Sequence, residues 1–137
     1  MTTEKHIVSA QEEWGKGVVL LGKREIIANE FVKKMYAKDI VMKPTMAKEQ
    51  PFRTNHNDII SYFVSGHIKE DGGFALKPWT KVRFENEKIT ISEHQAFAVG
   101  HYYFEDTAGN ETKVEYSFGY VIEGNEIKIN LHHSSLP

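Results

Sequence analysis

The chain has 137 residues, 40% of them hydrophobic and 26% charged, with a formal net charge of −2. That length suits one domain, spanning residues 1–137, with a proper core and no room for a second. The near-neutral balance excludes a basic stripe for phosphate contacts and so predicts no nucleic-acid partner. No apolar run is long enough for a membrane helix. The chain has no cysteine, which removes disulfides, thiolate metal sites and cysteine nucleophiles.

The opening Met1-Thr2-Thr3-Glu4-Lys5-His6 is polar and lacks the basic cap and apolar middle of a secretory signal, so a cytoplasmic location is expected. From residue 3 to 22, Ile7, Val8, Ala10, Trp14, Val18 and Leu21 recur at helical spacing, and Gly22 supplies a stop. A second helix is predicted from Arg24 to about Ala37, on Ile26, Ile27, Phe31, Val32, Met35 and Tyr36. Ile40 to Thr45 reads as a short strand, which Pro44 and Pro51 confine to an edge. A third helix, capped by Asn55 or Asn57, buries Ile59, Ile60, Phe63 and Val64 and stops at Asp71-Gly72-Gly73.

After Gly73 the pattern changes to strands: Ala75 to Glu85, Lys88 to Glu105, Glu111 to Glu123 and Glu126 to His133. The turns between them are read at Glu85-Asn86-Glu87, Ala108-Gly109-Asn110 and Gly124-Asn125. Helices followed by an antiparallel meander predict an α+β layer fold with helices on one side of the sheet and no parallel βαβ units. An even-length hairpin loop would place Phe97, Val99, His101 and Tyr103 on one face with Val114, Tyr116, Phe118, Tyr120 and Ile122, under the helices. The other face would then carry Ala96, Ala98, Gly100, Tyr102, Ser117, Gly119 and Val121, small and poor in charge. Three helices cover one side only, so a second copy of the chain is the expected cover for the other.

None of the seven histidines stands in a His-Glu-x-x-His or alternate-residue pattern, so no metal site is predicted. No glycine-rich phosphate loop or nucleophile elbow is present, and no cofactor is expected. An acid or base could be drawn from His101, Tyr103, Tyr116 or Asp39, although their spacing does not show that they meet. Arg53, between Pro51-Phe52 and the third helix, could clamp a carboxylate at a pocket mouth or join a surface ion pair. Trp14 reads as a core anchor.

Trp14, Val41-Met42-Lys43-Pro44-Thr45, Arg53, Tyr62-Phe63, Gly100-His101-Tyr102, Thr112-Lys113-Val114 and the ending His132-His133-Ser134-Ser135-Leu136-Pro137 stand in order along nearly the whole chain. In these the chain resembles the nuclear-transport-factor-2-like (SnoaL-like) superfamily. Within it, the likeness is to stand-alone bacterial relatives of the calcium/calmodulin-dependent protein kinase II association domain, the SgcJ/EcaC type. The resemblance implies a cone of about six strongly bent strands wrapped around three helices, with dimers or larger rings formed through sheet faces.

The family often has arginine where Ser117 stands, and the kinase branch has one where His133 stands, so the anion pocket is depleted here. Arg53, His101, Tyr116, Ser117 and His133 make up the expected ligand set, for a small organic molecule or carboxylate. The function expected on these grounds is a homo-oligomeric binding or assembly module without a catalytic set. The alternative is an isomerase, cyclase or dehydratase using His101 with Tyr103 or Tyr116.

Overall fold

The computed structural model describes residues 2–137. Helix α1 (Glu4–Gly22) begins with a capping box in which the Thr3 side chain accepts from the His6 backbone and the His6 ring accepts from the Thr3 backbone. Its face Ile7, Gln11, Trp14, Val18 and Leu21 is buried, at the spacing read from the sequence. Helix α2 (Ala28–Met35) gives way directly to β1 (Tyr36–Lys43), so the second helix stops short of Ala37 and Tyr36 is already a strand residue. Helix α3 (His56–Val64) is capped by Asn55, whose side-chain oxygen accepts from Asp58 N at 2.9 Å. It ends at Ser65, earlier than the Asp71-Gly72-Gly73 stop.

Four long strands follow: β2 (Trp79–Ile91), β3 (Gln95–Asp106), β4 (Glu111–Glu123) and β5 (Glu126–Ser135). The sheet has five strands, not about six, in the order β1-β5-β4-β3-β2. β1 holds the expected edge, but it pairs with β5 in parallel, so the sheet is mixed. The architecture remains α+β, with the helices packed into the concave side of a curved sheet.

Three local features overturn the predicted register. The turn between β2 and β3 lies after Ile91, where the Ser92 backbone and hydroxyl both donate to Gln95 O, at 2.8 and 2.9 Å. Glu85-Asn86-Glu87 is instead a bulge, the pairing with β3 slipping between Asn86 and Lys88. Gly100 faces that bulge so closely that a Cβ there would lie 2.2 Å from Glu85 O, which only glycine avoids.

Between β3 and β4 the last pair is Glu105–Glu111, leaving the odd loop 106–110. Asp106 Oδ1 accepts from Ala108 N and Asn110 N, both at 3.0 Å, and Gly109 takes φ +85°. An odd loop exchanges the two faces of β3 relative to β4. Tyr102 therefore pairs with Val114, Gly100 with Tyr116 and Ala98 with Phe118, all toward the helices. Phe97, Val99, His101 and Tyr103 face outward, opposite Gly119, Ser117, Glu115 and Lys113.

The third feature is in β5, where the ladder to β4 slips between Leu131 and Ile129. Asn130 occupies the irregularity, with reciprocal amide bonds to Gln95 at 3.2 and 3.3 Å. Ile129 points inward; so, after the slip, do His132 and Ser134, while His133 faces out.

Candidate active site

The inward side chains of β1, β3 and β5 converge beneath α1 on a buried polar chain. Trp14 Nε1 donates to Tyr36 Oη at 3.0 Å, and Tyr36 Oη lies 2.9 Å from His132 Nδ1. His132 Nε2 lies 3.0 Å from Tyr102 Oη and 3.1 Å from Ser134 Oγ. The Tyr102 and Ser134 hydroxyls are bonded to each other. All five side chains are essentially removed from solvent. Aromatic neighbours fix the imidazole: Tyr36 stacks on it at 5.9 Å and Phe118 meets it edge-on at 4.3 Å.

Donor and acceptor roles follow from one group that cannot change sides. Indole N–H only donates. Tyr36 Oη accepts from Trp14, and His132 Nδ1 is the acceptor within reach of its own buried proton; satisfying that proton leaves the histidine proton on Nε2. That proton is directed at Tyr102 Oη and Ser134 Oγ. Burial holds the imidazole neutral, lowering its pKa to about 3, with a smaller contribution from His133. Burial likewise pushes the Tyr102 phenol far above its ordinary range, opposed by its bond to Ser134. The site is thus a set of uncharged O–H and N–H groups.

This set borders a narrow inner cavity of about 10 Å³, lined in part by Thr45, Tyr62, Phe74, Tyr102, His132 and Ser134. A cavity of roughly that size admits the centre of about one water-sized molecule. Thr45, Tyr62 and Phe74 also line a larger outer chamber of about 510 Å³, so they form a collar between the two spaces. Tyr62 and Phe74 stack in the collar, centroids 5.5 Å apart at 16°. Thr45 opposes the upward pKa shift that burial gives both Tyr62 and Tyr102.

The residues nominated from sequence fall elsewhere. His101 is on the outer sheet face, its Nε2 3.7 Å from Glu115 Oε2. Tyr103 shares that face, donating to Glu85 Oε1 at 3.2 Å beneath the Arg83 guanidinium, which lies 3.8 Å from the ring centre. Their ring centres are 6.3 Å apart, and neither lines the inner cavity or the outer chamber. Tyr116 is on the opposite, inner face, bonded to Gln11 and Asn86, with burial raising its pKa to about 12. Asp39 is exposed on β1. Ser117 and His133 are paired across the outer face.

Arg53 is fully buried and already engaged: Nε donates to Gln50 O at 2.8 Å, and the guanidinium grips Asp71 with bonds of 2.8 and 2.9 Å. Asp71 lines the outer chamber, so Arg53 supports the chamber wall from behind. Sequence reasoning missed Tyr36, Thr45, Tyr102, His132 and Ser134 as site residues. The signal was the terminal His132-His133-Ser134-Ser135 run, whose phase the bulge at Asn130 reverses.

No group of three or more His, Cys, Asp or Glu side chains is placed to hold a metal among the described residues.

A curved sheet closed over three helices, with a pocket between them, defines a nuclear-transport-factor-2-like cone, the class expected from the sequence. A putative calcium/calmodulin-dependent protein kinase II association domain from Xanthomonas campestris shares that fold, with a TM-score of 0.70 at 21% identity over 100% of this chain and 89% of its own. Within that class, the family described as metal-independent carbonic anhydrase matches residues 5–136, and the chain belongs to it. The metal-independent carbonic anhydrase of Nostoc sp. (strain PCC 7120) is 30% identical over 151 residues, covering 98% of this chain and 74% of that protein. The crystal structure of an iota-carbonic anhydrase from a cyanobacterium, complexed with bicarbonate, superposes with a TM-score of 0.94 at 28% identity, covering 99% and 93% of the two chains.

Membership of an enzyme family overturns the expected non-catalytic binding or assembly module. It also displaces the isomerase, cyclase or dehydratase alternative built on His101, Tyr103 and Tyr116.

Proposed function

We propose that the chain catalyses the reversible hydration of carbon dioxide to bicarbonate where the inner cavity meets the outer chamber, beside Tyr102, His132 and Ser134. One observation carries this reading: a space of about 10 Å³, room for about one water, bordered by Thr45, Tyr102, His132 and Ser134 and sharing Thr45, Tyr62 and Phe74 with a largely apolar chamber of about 510 Å³. Carbon dioxide is small and apolar, so the chamber and the aromatic collar oppose its entry little. Hydration places negative charge on an O–C–O unit. Fixed O–H and N–H donors in a water-poor site stabilise such charge without reorganising as it forms.

His132 acts in this reading as an oriented donor. Its Nδ1 is occupied by the Tyr36 proton and its pKa is lowered to about 3, so it is a poor proton acceptor at neutral pH. The proton released in CO2 + H2O → HCO3− + H+ leaves toward the chamber mouth, because the buried end of the chain closes on Trp14, whose N–H cannot take one.

Stopped-flow measurement of carbon dioxide hydration with a pH indicator, in the presence of a chelator, tests the reading. Wild-type protein is expected to accelerate hydration, and Ser134→Ala to lower kcat/KM by about a hundredfold, the usual scale for removing one preorganised donor. Wild-type protein no faster than buffer would falsify the assignment.

A further inference from the structure

The outer chamber is much larger than bicarbonate needs. At about 510 Å³ it lies in the range of sites that enclose drug-sized ligands. Its walls include Met46, Phe74, Leu76, Trp79, Val114 and Leu136, an apolar share of the lining that hydration of a three-heavy-atom substrate leaves unused.

We propose that the protein also binds amphiphilic monocarboxylates, with the carboxylate at the Ser134–Tyr102–Thr45 end and the alkyl or aryl tail in the outer chamber. The proposal rests on reading the junction of the two spaces as a bicarbonate site. R–COO− and HO–COO− share the same planar O–C–O head and differ only in the third substituent. With the head at that junction, beside the collar of Thr45, Tyr62 and Phe74, the substituent has the outer chamber to fill.

Charge at the mouth permits an anion to enter. Asp71 is neutralised by Arg53 and accepts from Ser61 Oγ at 2.6 Å. Glu70 accepts from the backbone N–H groups of Lys48, Glu49 and Gln50 at 2.7 to 3.2 Å, with Arg53 at 3.8 Å. Among the described residues lining the two spaces, Lys77 is the one free cation, its Nζ 5.5 Å from the Trp79 ring centre. The head and bicarbonate use the same donors, so the ligand competes with bicarbonate and inhibits turnover.

Calorimetric titration with acetate, butanoate, hexanoate and octanoate at neutral pH tests this. Each added methylene should tighten binding by up to about fourfold as it leaves water. Octanoate should compete with bicarbonate in the dehydration assay. Ser134→Ala should weaken octanoate by about tenfold or more, the scale of one hydrogen bond to a charged group. Leu136→Glu, at an exposed chamber position, should flatten the chain-length dependence. A flat series in wild-type protein, or octan-1-ol binding as tightly as octanoate, overturns the proposal. Calorimetry does not depend on turnover, so the two readings fail separately. Hydration with a flat series removes only the carboxylate ligand; a rising, Ser134-dependent series without hydration removes only the catalytic assignment.

Discussion

Trp14 Nε1 donates to Tyr36 Oη at 3.0 Å, and through that bond a helix residue sets the proton position on an imidazole in the last strand. The indole fills the core against Phe63, Phe84, Tyr102, Phe104, Phe118 and His132, so its N–H has a single direction available. Core packing and site chemistry are here one arrangement. Without the Trp14 bond, Tyr36 could rotate its proton away from Nδ1, and the donor pointing at Tyr102 and Ser134 would no longer be assured.

Tyr36→Phe is therefore expected to release the His132 tautomer. Long-range proton–nitrogen spectra should show Nε2–H in the wild type and a mixture in the variant. Leaving the Trp14 N–H and His132 Nδ1 without a partner should cost about 1–3 kcal/mol per group. Hydration should slow by on the order of tenfold, less than for loss of a donor that touches substrate. A wild-type spectrum showing Nδ1–H would contradict the assigned chain of protons.

Arg53 and Asp71 form a buried pair, with side chains 0% and 2% exposed. Its contacts tie the segment before α3 to the 66–73 loop, whose end lines the chamber. Breaking such a pair leaves a buried charge alone, so Arg53→Met is expected to destabilise the fold by about 3–5 kcal/mol. Arg53→Met with Asp71→Leu should recover part of that loss. Urea denaturation of the two variants decides it. Equal stabilities for Arg53→Met and wild type would mean that the pair does not hold the wall.

The helices and the α+β layer order were legible because their signals are local: helical spacing from Ile7 to Leu21, alternation from Val114 to Tyr120, and a capping Asn55; the cone class came from the family resemblance. The site was not legible, because it depends on parity. One extra residue in the 106–110 loop turns Tyr102 inward and His101 outward. One slip at Asn130 does the same for His132 and His133. Each single-residue shift reverses every side chain beyond it. His133 was nominated because the kinase branch of the resembled family has an arginine there, a position that the slip leaves on the outer face. Arg53 was recognised as unusual, but its partner Asp71 lies 18 residues on, beyond any local pattern.

The exchange of faces also changes the surface on which self-association would rest. Val41, Leu131, Gly119, Phe97 and Thr90 stand side by side across the outer sheet, in neighbouring strands. Phe97 is 48% and Val99 42% exposed. We propose that a second copy covers this charge-poor row, pairing like with like about a two-fold axis. Light scattering should give the mass of a dimer, and Phe97→Glu the mass of a monomer. A monomeric wild type at micromolar concentration would end the idea.

Protonating His132 should cost the fold its stability on the acid side of neutrality. The imidazole has a pKa of about 3 in the native protein, against about 6.5 when unfolded. Between those values the unfolded chain binds a proton that the native chain refuses, so unfolding free energy rises with pH. The contribution is complete above about 6.5 and falls by about 1.4 kcal/mol per pH unit as pH drops toward 3. Glu70, held below the usual carboxylate range by the backbone N–H groups of Lys48 and Gln50, adds a slope of the same sign only at lower pH, below its ordinary value of 4.5. The window from about pH 6.5 to about pH 5 therefore isolates the histidine from that carboxylate. Urea denaturation across it should show a steep loss in wild-type protein and a shallower one in His132→Gln. If both variants lose stability in parallel there, the buried imidazole is not the group that titrates.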